Sequence, residues 1–253
     1  MAMNGRRGTR LRALSVCALC VCAIGGIAES ASAVAPWGVP DGAYDIGSPT
    51  TRDIWVSPTG KDTNTGATRA TAVKTITAAW NKIPKGQTLT GTGYRIKVTA
   101  GRYATAAVPN YWENALGTKQ FPIILESVDG AGQASIATVN MFNSRYVYFI
   151  GMKLTNPGGD IYHCEQCDHI LLRDATVKSS QRGQETVKIN QSKYVYIETS
   201  DIATAEDNAV DFVAVQYGHL LANRIHDAQD WCAYAKGGSA YIRVVGNEFY
   251  SCG

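Results

Sequence analysis

From Tyr146 onward, short segments of alternating hydrophobic and polar residues recur about every 23 residues. Five of these segments start 23, 25, 25 and 22 residues apart, at Tyr146, His169, Tyr194, His219 and Tyr241. A repeat of this length is typical of a solenoid, in which each unit stacks on its neighbours and buries a shared core. The pattern predicts an all-β solenoid with regular coils over about residues 134–253.

Each repeat carries two strand patterns and a polar turn. The inward positions of the first strand are Val147, Phe149, Ile170, Leu172, Val195, Ile197, Leu220, Ile242 and Val244. The second strand pattern is Val187–Ile189, Val210–Phe212 and Ala235–Gly237. The turn column comprises Asp174, Asp201, Asn223 and Asn247, residue types that tolerate left-handed backbone. Because every coil runs in the same direction, we expect parallel strands about 4.8 Å apart.

The segment ahead of the repeats predicts a capping helix over residues 71–83. Its hydrophobic residues fall on one helical face, at spacings of three, four and three: Val73, Ile76, Trp80 and Ile83. An extended leader at 34–52 is expected before a β-helix domain at 53–253. The other end shows no such cap, because Gly253 follows directly on the last strand pattern. Since a solenoid needs both ends covered, we expect the chain to be truncated, with further coils after Gly253.

The first 33 residues have the pattern of a secretory signal peptide. Arg6 and Arg7 precede an apolar run over 13–27, and Ala31 and Ala33 form a small-residue cleavage site. We therefore expect an extracellular, monomeric protein with no membrane span. The whole sequence has 24 basic and 21 acidic residues, and this segment contains four arginines and one glutamate. The remaining chain therefore has 20 basic and 20 acidic residues. This balance does not favour nucleic acid or an anionic membrane as a partner.

Four cysteines remain after the signal peptide, and export permits disulfides. Cys164 and Cys167 are spaced for a local bridge, and Cys232 and Cys252 for a second one. A zinc site is the alternative, because His163 and His169 are close in sequence to the first pair. The sequence leaves the pairing open.

The opening of the expected β-helix domain resembles a known superfamily. The segments Ile54–Asp62, Lys74–Trp80 and Ile96–Tyr103 are similar to the start of right-handed parallel β-helix proteins of the pectate-lyase-like superfamily. The resemblance implies a right-handed parallel β-helix with an N-terminal capping α-helix. It is specific for fold only, since the superfamily includes lyases, hydrolases, epimerases and adhesins.

The second strand pattern carries charged residues at the repeat interval. His163, Lys188, Asp211 and Lys236 form one expected outward column, and Glu185, Asp207 and Asp230 form another. Alternating charges on one face can be a structural ladder, because neighbouring opposite charges stabilise a sheet by ~0.2–1 kcal/mol. A column of acids is harder to explain in that way, unless the acids splay into solvent or a cation bridges them.

The segment Asp207–Asp211 resembles the calcium-binding Asp-Asp-x-x-Asp motif of polysaccharide lyase family 9. The resemblance implies a Ca²⁺ site formed by Glu185, Asp207, Asn208 and Asp211, with Asn208 in a place where the family has Asp. It also implies that Lys236 is the catalytic base of a lyase that cleaves an acidic, uronate-containing polysaccharide by β-elimination. We expect Lys188, Asp230 and Tyr234 to contact the substrate.

Two other functions fit the same residues. A non-catalytic glycan-binding or surface-adhesion protein would use the outward tyrosines Tyr148, Tyr194, Tyr196, Tyr234 and Tyr241, although a packing ladder explains such rings as well. A glycoside hydrolase would need a pair of carboxyl groups, which Asp207, Asp211 and Asp230 can supply. Trp231 is expected to pack under a loop, and Tyr111 and Trp112 to lie in a loop beside a groove.

Overall fold

The computed structural model describes residues 42–156, 159–179 and 184–253. The predicted signal peptide and residues 34–41 of the leader lie outside these ranges. The helices of the described part are α1 (Ile76–Trp80) and two 3-10 helices, Arg69–Thr71 and Thr105–Ala107. Its strands are β1 (Thr51–Val56), β2 (Gly93–Val98), β3 (Gly101–Arg102), β4 (Trp112–Glu113), β5 (Ile123–Ser127), β6 (Ala134–Ile136), β7 (Val139–Phe142), β8 (Arg145–Ile150), β9 (Lys153–Asn156), β10 (Tyr162–Glu165), β11 (Asp168–Arg173), β12 (Thr176–Ser179), β13 (Val187–Asn190), β14 (Lys193–Glu198), β15 (Asp201–Ala205), β16 (Val210–Val213), β17 (Gln216–Leu221), β18 (Arg224–Ala228), β19 (Ala233–Lys236), β20 (Arg243–Val245) and β21 (Glu248–Cys252).

The strands form three parallel sheets, and three consecutive strands make one coil. Sheet 1 has the order β1-β2-β5-β8-β11-β14-β17-β20, sheet 2 the order β4-β7-β10-β13-β16-β19, and sheet 3 the order β3-β6-β9-β12-β15-β18-β21. Each strand pairs with the strand three places along the chain over most of this length. The predicted all-β parallel β-helix is therefore confirmed.

The core consists of rows of hydrophobic side chains that point into the coils. Phe149, Leu172, Ile197 and Leu220 are in register in β8, β11, β14 and β17, and all four are buried. This row agrees with the alternation in the sequence, because period-two positions share one face of a strand.

One repeat is out of register with the sequence-based alignment. Tyr194 stands opposite Tyr217 rather than His219, because Val195 pairs with Gly218 and Tyr196 with His219. Gly218 occupies an inward place that other coils fill with a β-branched residue. A Cβ atom there would lie 2.9 Å from the ring of Phe212, so the phenylalanine fills the space that the glycine leaves. The missing hydrophobic side chain is the reason for the wrong alignment.

The corrected column is a continuous ladder of rings. Tyr146, His169, Tyr194, Tyr217 and Tyr241 stack with centroid separations of 4.4, 4.4, 4.9 and 4.8 Å. All five have a positive φ between 51° and 59°. A left-handed backbone is unfavourable for tyrosine, so the repeated stacking must compensate for local strain.

The polar turn column is partly different from the predicted one. The amide oxygen of Asn223 accepts a hydrogen bond from Ser200 N, and that of Asn247 accepts one from Asn223 N, both at 2.9 Å. Ser200 therefore precedes the two asparagines in this ladder. Asp201 lies one residue later and pairs with Arg224, and Asp174 accepts a bond from the hydroxyl of Thr199. The predicted ladder is confirmed for the two asparagines and wrong for the two aspartates, whereas the left-handed backbone is found at Asp174, with a φ of 52°, and not at Asn223 or Asn247.

The capping helix is present but shorter than the predicted 71–83. Thr75 is its N-cap and accepts a hydrogen bond from Ala78 N, while both carboxylate oxygens of Asp62 hold the Thr75 segment. Val73 is instead bridged to Val56, which delays the start of α1. Trp80 packs edge-on against Trp112 with a centroid distance of 4.7 Å, so the helix covers the end of the core.

Residues 42–50, part of the predicted leader, cross the outer face of sheet 1. Tyr44 is buried there, with its ring stacked on Tyr196 at 4.2 Å and its hydroxyl 2.9 Å from that of Tyr148. The backbone N–H of Tyr44 donates to Glu198, and its carbonyl accepts from Arg173. Tyr148 and Tyr196 are consequently buried, and neither ring is open to a glycan.

Two disulfides are formed: Cys164–Cys167 is a local bridge between β10 and the residue before β11, and Cys232–Cys252 joins the segment before β19 to β21, with Cα–Cα distances of 6.2 and 5.5 Å. All four cysteines are used in these bridges, so the zinc alternative does not apply to them. Among the described residues, no helix has the length and hydrophobicity that a membrane span needs.

Candidate functional site

The outer face of sheet 2 carries the charged residues that the sequence singled out. The inward residues of its strands, such as Tyr162, Val187 and Val210, are buried in the core. Their neighbours therefore point outward, and Asn140, His163, Lys188, Asp211 and Tyr234 stand in register across five strands. The predicted column is confirmed for His163, Lys188 and Asp211. It is wrong for Lys236, whose expected place is taken by Tyr234.

Lys236 stands two residues beyond the predicted position. In β19 it is Tyr234 that pairs with Asp211, and Lys236 pairs with Val213. The sequence pattern predicts a strand at Ala235–Gly237. In the structure β19 ends at Lys236, and Gly237, with a φ of 62°, belongs to the following turn. The ladder uses Ala233 and Ala235, whose small side chains give a weak strand signal. Lys236 still points outward, because an offset of two residues keeps the same face.

Four side chains on this face form a continuous ion-pair network, defined here as Glu185, Lys188, Asp211 and Lys236. Lys188 Nζ lies 2.8 Å from Glu185 Oε1 and 3.3 Å from Asp211 Oδ2. Lys236 Nζ lies 3.0 Å from the same Asp211 Oδ2. Asp211 is completely buried and Glu185 is nearly so. Buried carboxylates require such partners, because an unpaired charge in the interior is strongly unfavourable.

The electrostatics of the network distinguish Glu185 from an ordinary surface carboxyl group. Burial raises the pKa of Glu185 above its usual value; the hydrogen bond from Lys188 opposes this rise, and the neighbouring Asp211 carboxyl adds to it. Burial lowers the pKa of Lys188, but the hydrogen bonds and charges of Glu185 and Asp211 outweigh burial and raise it overall. Lys188 is therefore a cation at neutral pH.

Two buried side-chain oxygen atoms in the segment 208–211 lack a hydrogen-bond donor among the described residues. They are Oδ1 of Asn208 and Oδ1 of Asp211. Buried acceptors are normally satisfied, so these two oxygens are candidates for binding a further group. Both are hard oxygen donors, the type that Ca²⁺ prefers, and the predicted ligands Asn208 and Asp211 therefore fit this ion.

The other predicted calcium ligands are arranged differently from the expected acidic column. The 23-residue offset between β13 and β16 places Glu185 level with Asn208, and Glu185 N donates to Asp160 Oδ1 of the preceding coil. Asp207 and Asp230 are both exposed and lie in neighbouring coils, joined by a backbone hydrogen bond. Within the ranges described, no group of three or more His, Cys, Asp or Glu side chains is arranged to hold a metal.

His163 is held by two amides that sequence analysis did not single out. Its Nδ1 lies 3.1 Å from Asn140 Oδ1, and its Nε2 lies 3.3 Å from Asn190 Nδ2. An amide NH₂ can only donate, so Nε2 is the acceptor and Nδ1 carries the hydrogen. Burial also lowers the pKa of His163, which favours this neutral form. These residues are brought together by the register of β7, β10 and β13, which the sequence alone does not show.

Three large aromatic side chains on or beside this face are exposed to solvent: Tyr111, Trp231 and Tyr234, at 56%, 61% and 42%. The rings of Trp231 and Tyr234 are offset and nearly parallel, with centroids 6.1 Å apart at 23°. Lys236 Nζ lies 5.1 Å from the centroid of the Tyr234 ring. The expectation that Trp231 packs under a loop is therefore wrong. Tyr111 does line a depression of about 220 Å³ beside His163, but Trp112, expected in the same loop, lies in β4 and is buried in the core.

A second polar cluster on sheet 3 was not expected. His226 Nε2 lies 2.8 Å from Asp201 Oδ1, and its Nδ1 lies 2.8 Å from Asp227 Oδ2. The imidazole also stacks on Tyr250 at 4.4 Å. Both ring nitrogens are engaged, so this histidine has a structural arrangement rather than that of a free acid or base.

Comparisons with known proteins complete the description of the site. No protein-family model matches the chain, and no curated protein matches it. Two solved structures are similar: a rhamnogalacturonan lyase, with 10% identity and a TM-score of 0.48, and the pectate lyase Pel9A, with 14% identity and a TM-score of 0.40. The matches cover 80% and 72% of this chain and 62% and 56% of the other chains. The chain thus spans about three fifths of their length, and likeness at this level assigns no role to any residue.

Proposed function

We propose that this parallel β-helix protein is exported and acts on a polysaccharide, cleaving a uronate-containing glycan by β-elimination on the outer face of sheet 2. The observation that carries the proposal is the ion-pair network itself. It places two lysines on one buried carboxylate, at the surface of a rigid sheet and beside exposed aromatic rings. Such a combination of cations, acids and rings suits a sugar that carries a carboxylate.

The proposed reaction assigns the two lysines different tasks. Lys236 is the more exposed of the two and acts as the base, which must be neutral when it reacts. Its Nζ takes the proton from C5, the carbon next to the C6 carboxylate. The electron pair of that C–H bond forms the C4=C5 double bond, the C4–O4 bond breaks, and O4 leaves and takes a proton from water.

Lys188 provides fixed positive charge in this scheme. Its raised pKa keeps it protonated, so it cannot be the base, but its ammonium can pair with the C6 carboxylate of the sugar. Charge grows on that carboxylate as C5 loses its proton, and a preorganised cation stabilises such charge more in the transition state than in the ground state.

Calcium is proposed as the cofactor, held by Asn208 Oδ1 and Asp211 Oδ1, with Asp207 next to Asn208 in the same coil and Glu185 level with Asn208 in the preceding coil. When bound, Ca²⁺ would neutralise the substrate carboxylate and add to the stabilisation of developing charge. The protein offers few unpaired oxygens here, whereas Ca²⁺ takes six to eight ligands. We therefore propose that substrate and water oxygens complete its coordination. A cation at Asp211 would also compete with the ammonium of Lys236 for the carboxylate.

A non-catalytic glycan-binding protein is the second candidate, favoured by the exposed rings of Tyr111, Trp231 and Tyr234. These two functions, and glycoside hydrolysis as a third, differ in their products. A lyase releases unsaturated uronides that absorb in the ultraviolet, a hydrolase releases reducing ends without that absorbance, and a binding protein retains the glycan unchanged.

The test uses polygalacturonate, alginate and glycosaminoglycans, each with calcium and with a chelator. We expect ultraviolet-absorbing product from one of these, dependent on calcium, and a loss of about 10²- to 10⁴-fold in rate for Lys236→Ala. Lys193→Ala is the matched control, because Lys193 is an exposed lysine on sheet 1. Unchanged product formation by the Lys236→Ala protein would exclude the assigned base.

A further inference from the structure

Lys85 folds back over the end of the capping helix α1 instead of extending into solvent. Its Nζ donates hydrogen bonds to the carbonyl oxygens of Trp80 and Ile83, at 2.7 and 2.8 Å, and lies 4.3 Å from the centroid of the Trp80 indole. Carbonyl groups at the C-terminal end of a helix lack partners within the helix, so a lysine here stabilises the end of α1. The same contacts fix the position of the amine.

The surroundings of this amine favour its neutral form. Burial lowers the pKa of Lys85 from the ordinary value of 10.5 to about 8, and no carboxylate among the described residues forms an ion pair that would oppose this change. At pH 7 about one tenth of the amine is then neutral, about 300 times the fraction for an ordinary lysine. A neutral amine has two N–H groups, which the two carbonyl oxygens accept, so its lone pair occupies the remaining tetrahedral position.

The Lys85 side chain lines a depression of about 400 Å³ between the end of α1 and residues 109–114. Ligand pockets have volumes of about 300–1,000 Å³, so a molecule of the size of a monosaccharide fits. Thr77 also lines the depression, and its hydroxyl oxygen is buried without a hydrogen-bond partner in the described part of the chain. The remaining wall has aromatic rings, amides and one carboxyl group: Trp80, Tyr111, Asn81, Asn110, Asn114 and Glu113. Rings pack against the C–H face of a sugar, and amides bind its hydroxyl groups.

We propose that this depression is a covalent binding site for a small polyhydroxy aldehyde, such as the open-chain form of a reducing sugar, with Lys85 as the nucleophile. The nitrogen lone pair forms a C–N bond with the carbonyl carbon, the π electrons of the C=O bond move to oxygen, and that oxygen takes a proton from nitrogen. The resulting carbinolamine loses its hydroxyl group and the remaining N–H proton as water, and a C=N bond forms. Amine and aldehyde thus give a Schiff base and water, and the step needs no oxidant or reductant.

The site is chemically different from the ion-pair network on sheet 2. Lys188 and Lys236 are each paired with the buried carboxylate of Asp211, which favours their charged form. The amine of Lys85 contacts two neutral carbonyl groups and an indole ring instead. The other ionisable groups that line the depression are Glu113 and Tyr111. Covalent binding at Lys85 is therefore independent of any turnover on sheet 2.

The test uses galactose together with cyanoborohydride, which reduces a Schiff base to a stable secondary amine. Peptide mapping by mass spectrometry should then find the mass of the aldehyde, less one oxygen atom, on Lys85. The larger neutral fraction of Lys85 is partly offset, because nucleophilicity falls with pKa, as it does for thiols. At pH 7 we therefore expect Lys85 to be labelled about tenfold to thirtyfold faster than Lys82, an exposed lysine three residues away. Its labelling rate should level off above about pH 8, whereas that of Lys82 should keep rising.

Two further measurements separate a binding site from a lysine that is only reactive. The rate at Lys85 should saturate with galactose concentration, and galactitol, which has no carbonyl group, should slow it by occupying the depression. Lys85→Arg keeps hydrogen-bond donors at the end of α1 but has no nucleophilic amine, so fast labelling should be lost in this variant and kept in the control Lys82→Arg. Thermal unfolding confirms that both variants are folded.

Fast, saturable labelling of Lys85 supports the proposal whether or not the protein has lyase activity. Labelling of Lys85 no faster than that of Lys82 overturns it and leaves Lys85 with its capping role alone. Labelling that neither saturates nor responds to galactitol also overturns it, because the depression then binds no sugar. These comparisons within the wild-type protein decide the question even if Lys85→Arg does not fold.

Discussion

The ammonium nitrogen of Lys236 lies 3.0 Å from Oδ2 of Asp211, although the residue in register with Asp211 is Tyr234. Lys188 approaches the same oxygen from the preceding coil, at 3.3 Å. One fully buried carboxylate therefore links three successive coils on the face where we place the active site. The arrangement makes Asp211 important for stability as well as for the proposed chemistry.

Asp211→Asn keeps the shape of the side chain and removes its charge. Lys188 and Lys236 then lose their shared partner, and breaking a buried ion pair costs about 3–5 kcal/mol. Because both lysines are partly exposed and can turn to solvent, we expect a smaller loss, about 1–3 kcal/mol, together with loss of any lyase activity.

Urea unfolding measures this change. Asp207→Asn is the control, since Asp207 is exposed in the segment that precedes β16 and surface substitutions alter stability by at most about 0.5 kcal/mol. Equal free energies of unfolding for the two variants would contradict the role given to Asp211.

Glu185 predicts a specific dependence of stability on pH. Its folded-state pKa lies above the ordinary value of 4.5 for an unfolded glutamate. Below pH 4.5 the protonated carboxyl of Glu185 makes its full contribution to the free energy of unfolding. This contribution is lost as the pH rises through the folded-state pKa, because the folded state disfavours the ionised form. Glu185→Gln does not titrate, so the variant should lack this loss.

Melting temperatures between pH 4 and pH 7 test the expectation. As the pH is raised, the melting temperature of the wild-type protein should fall relative to that of the Glu185→Gln protein. Glu113→Gln, which changes an exposed glutamate on β4, should follow the wild type. Parallel curves for wild type and Glu185→Gln would show that the network does not perturb this carboxyl.

The fold was predictable because its signal is repeated, whereas the register within single coils was not. Alternation at Val147 and Phe149 and at their equivalents identifies the strands of most coils. It fails where the interior place is taken by Gly218, whose space is filled by Phe212 from another strand. It fails again at Ala233 and Ala235, which carry too little hydrophobic surface to mark the inward positions of β19.

The candidate site could be predicted as a group of residues but not as a set of contacts. The columns identified Lys188, Asp211 and Lys236, and the structure brings all three together. Asn140 and Asn190 are single polar residues, and nothing in the sequence shows that they hold His163. Exposure of Trp231 is likewise a property of the assembled coils, since a tryptophan in sequence is more often a core residue.

Calcium binding can be tested without any substrate turnover. Asn208→Asp adds a negative charge three residues before Asp211, so it should strengthen Ca²⁺ binding at the proposed site, whereas Asn208→Ala removes a proposed ligand oxygen and should weaken it. A ligand at 100 times its dissociation constant stabilises the folded state by about 2.7 kcal/mol. The rise in melting temperature on adding calcium should therefore be largest for Asn208→Asp, intermediate for the wild type and smallest for Asn208→Ala. The same rise in all three proteins would place the ion elsewhere or exclude it.

Tyr44 should stabilise the β-helix from outside its core. Its ring is buried on Tyr196 and its hydroxyl is 2.9 Å from that of Tyr148, so the segment at 42–50 covers the outer face of sheet 1. Tyr44→Phe removes only the hydrogen bond and should lower the free energy of unfolding by about 1 kcal/mol. Tyr44→Ala also removes the ring, which costs about 3–5 kcal/mol for a buried aromatic side chain. Chemical denaturation measures both changes, and tyrosine fluorescence reports whether Tyr148 and Tyr196 become exposed. Glycan binding on sheet 2 should be unaffected by Tyr44→Phe; a weaker ligand affinity in that variant would show that the two faces are coupled.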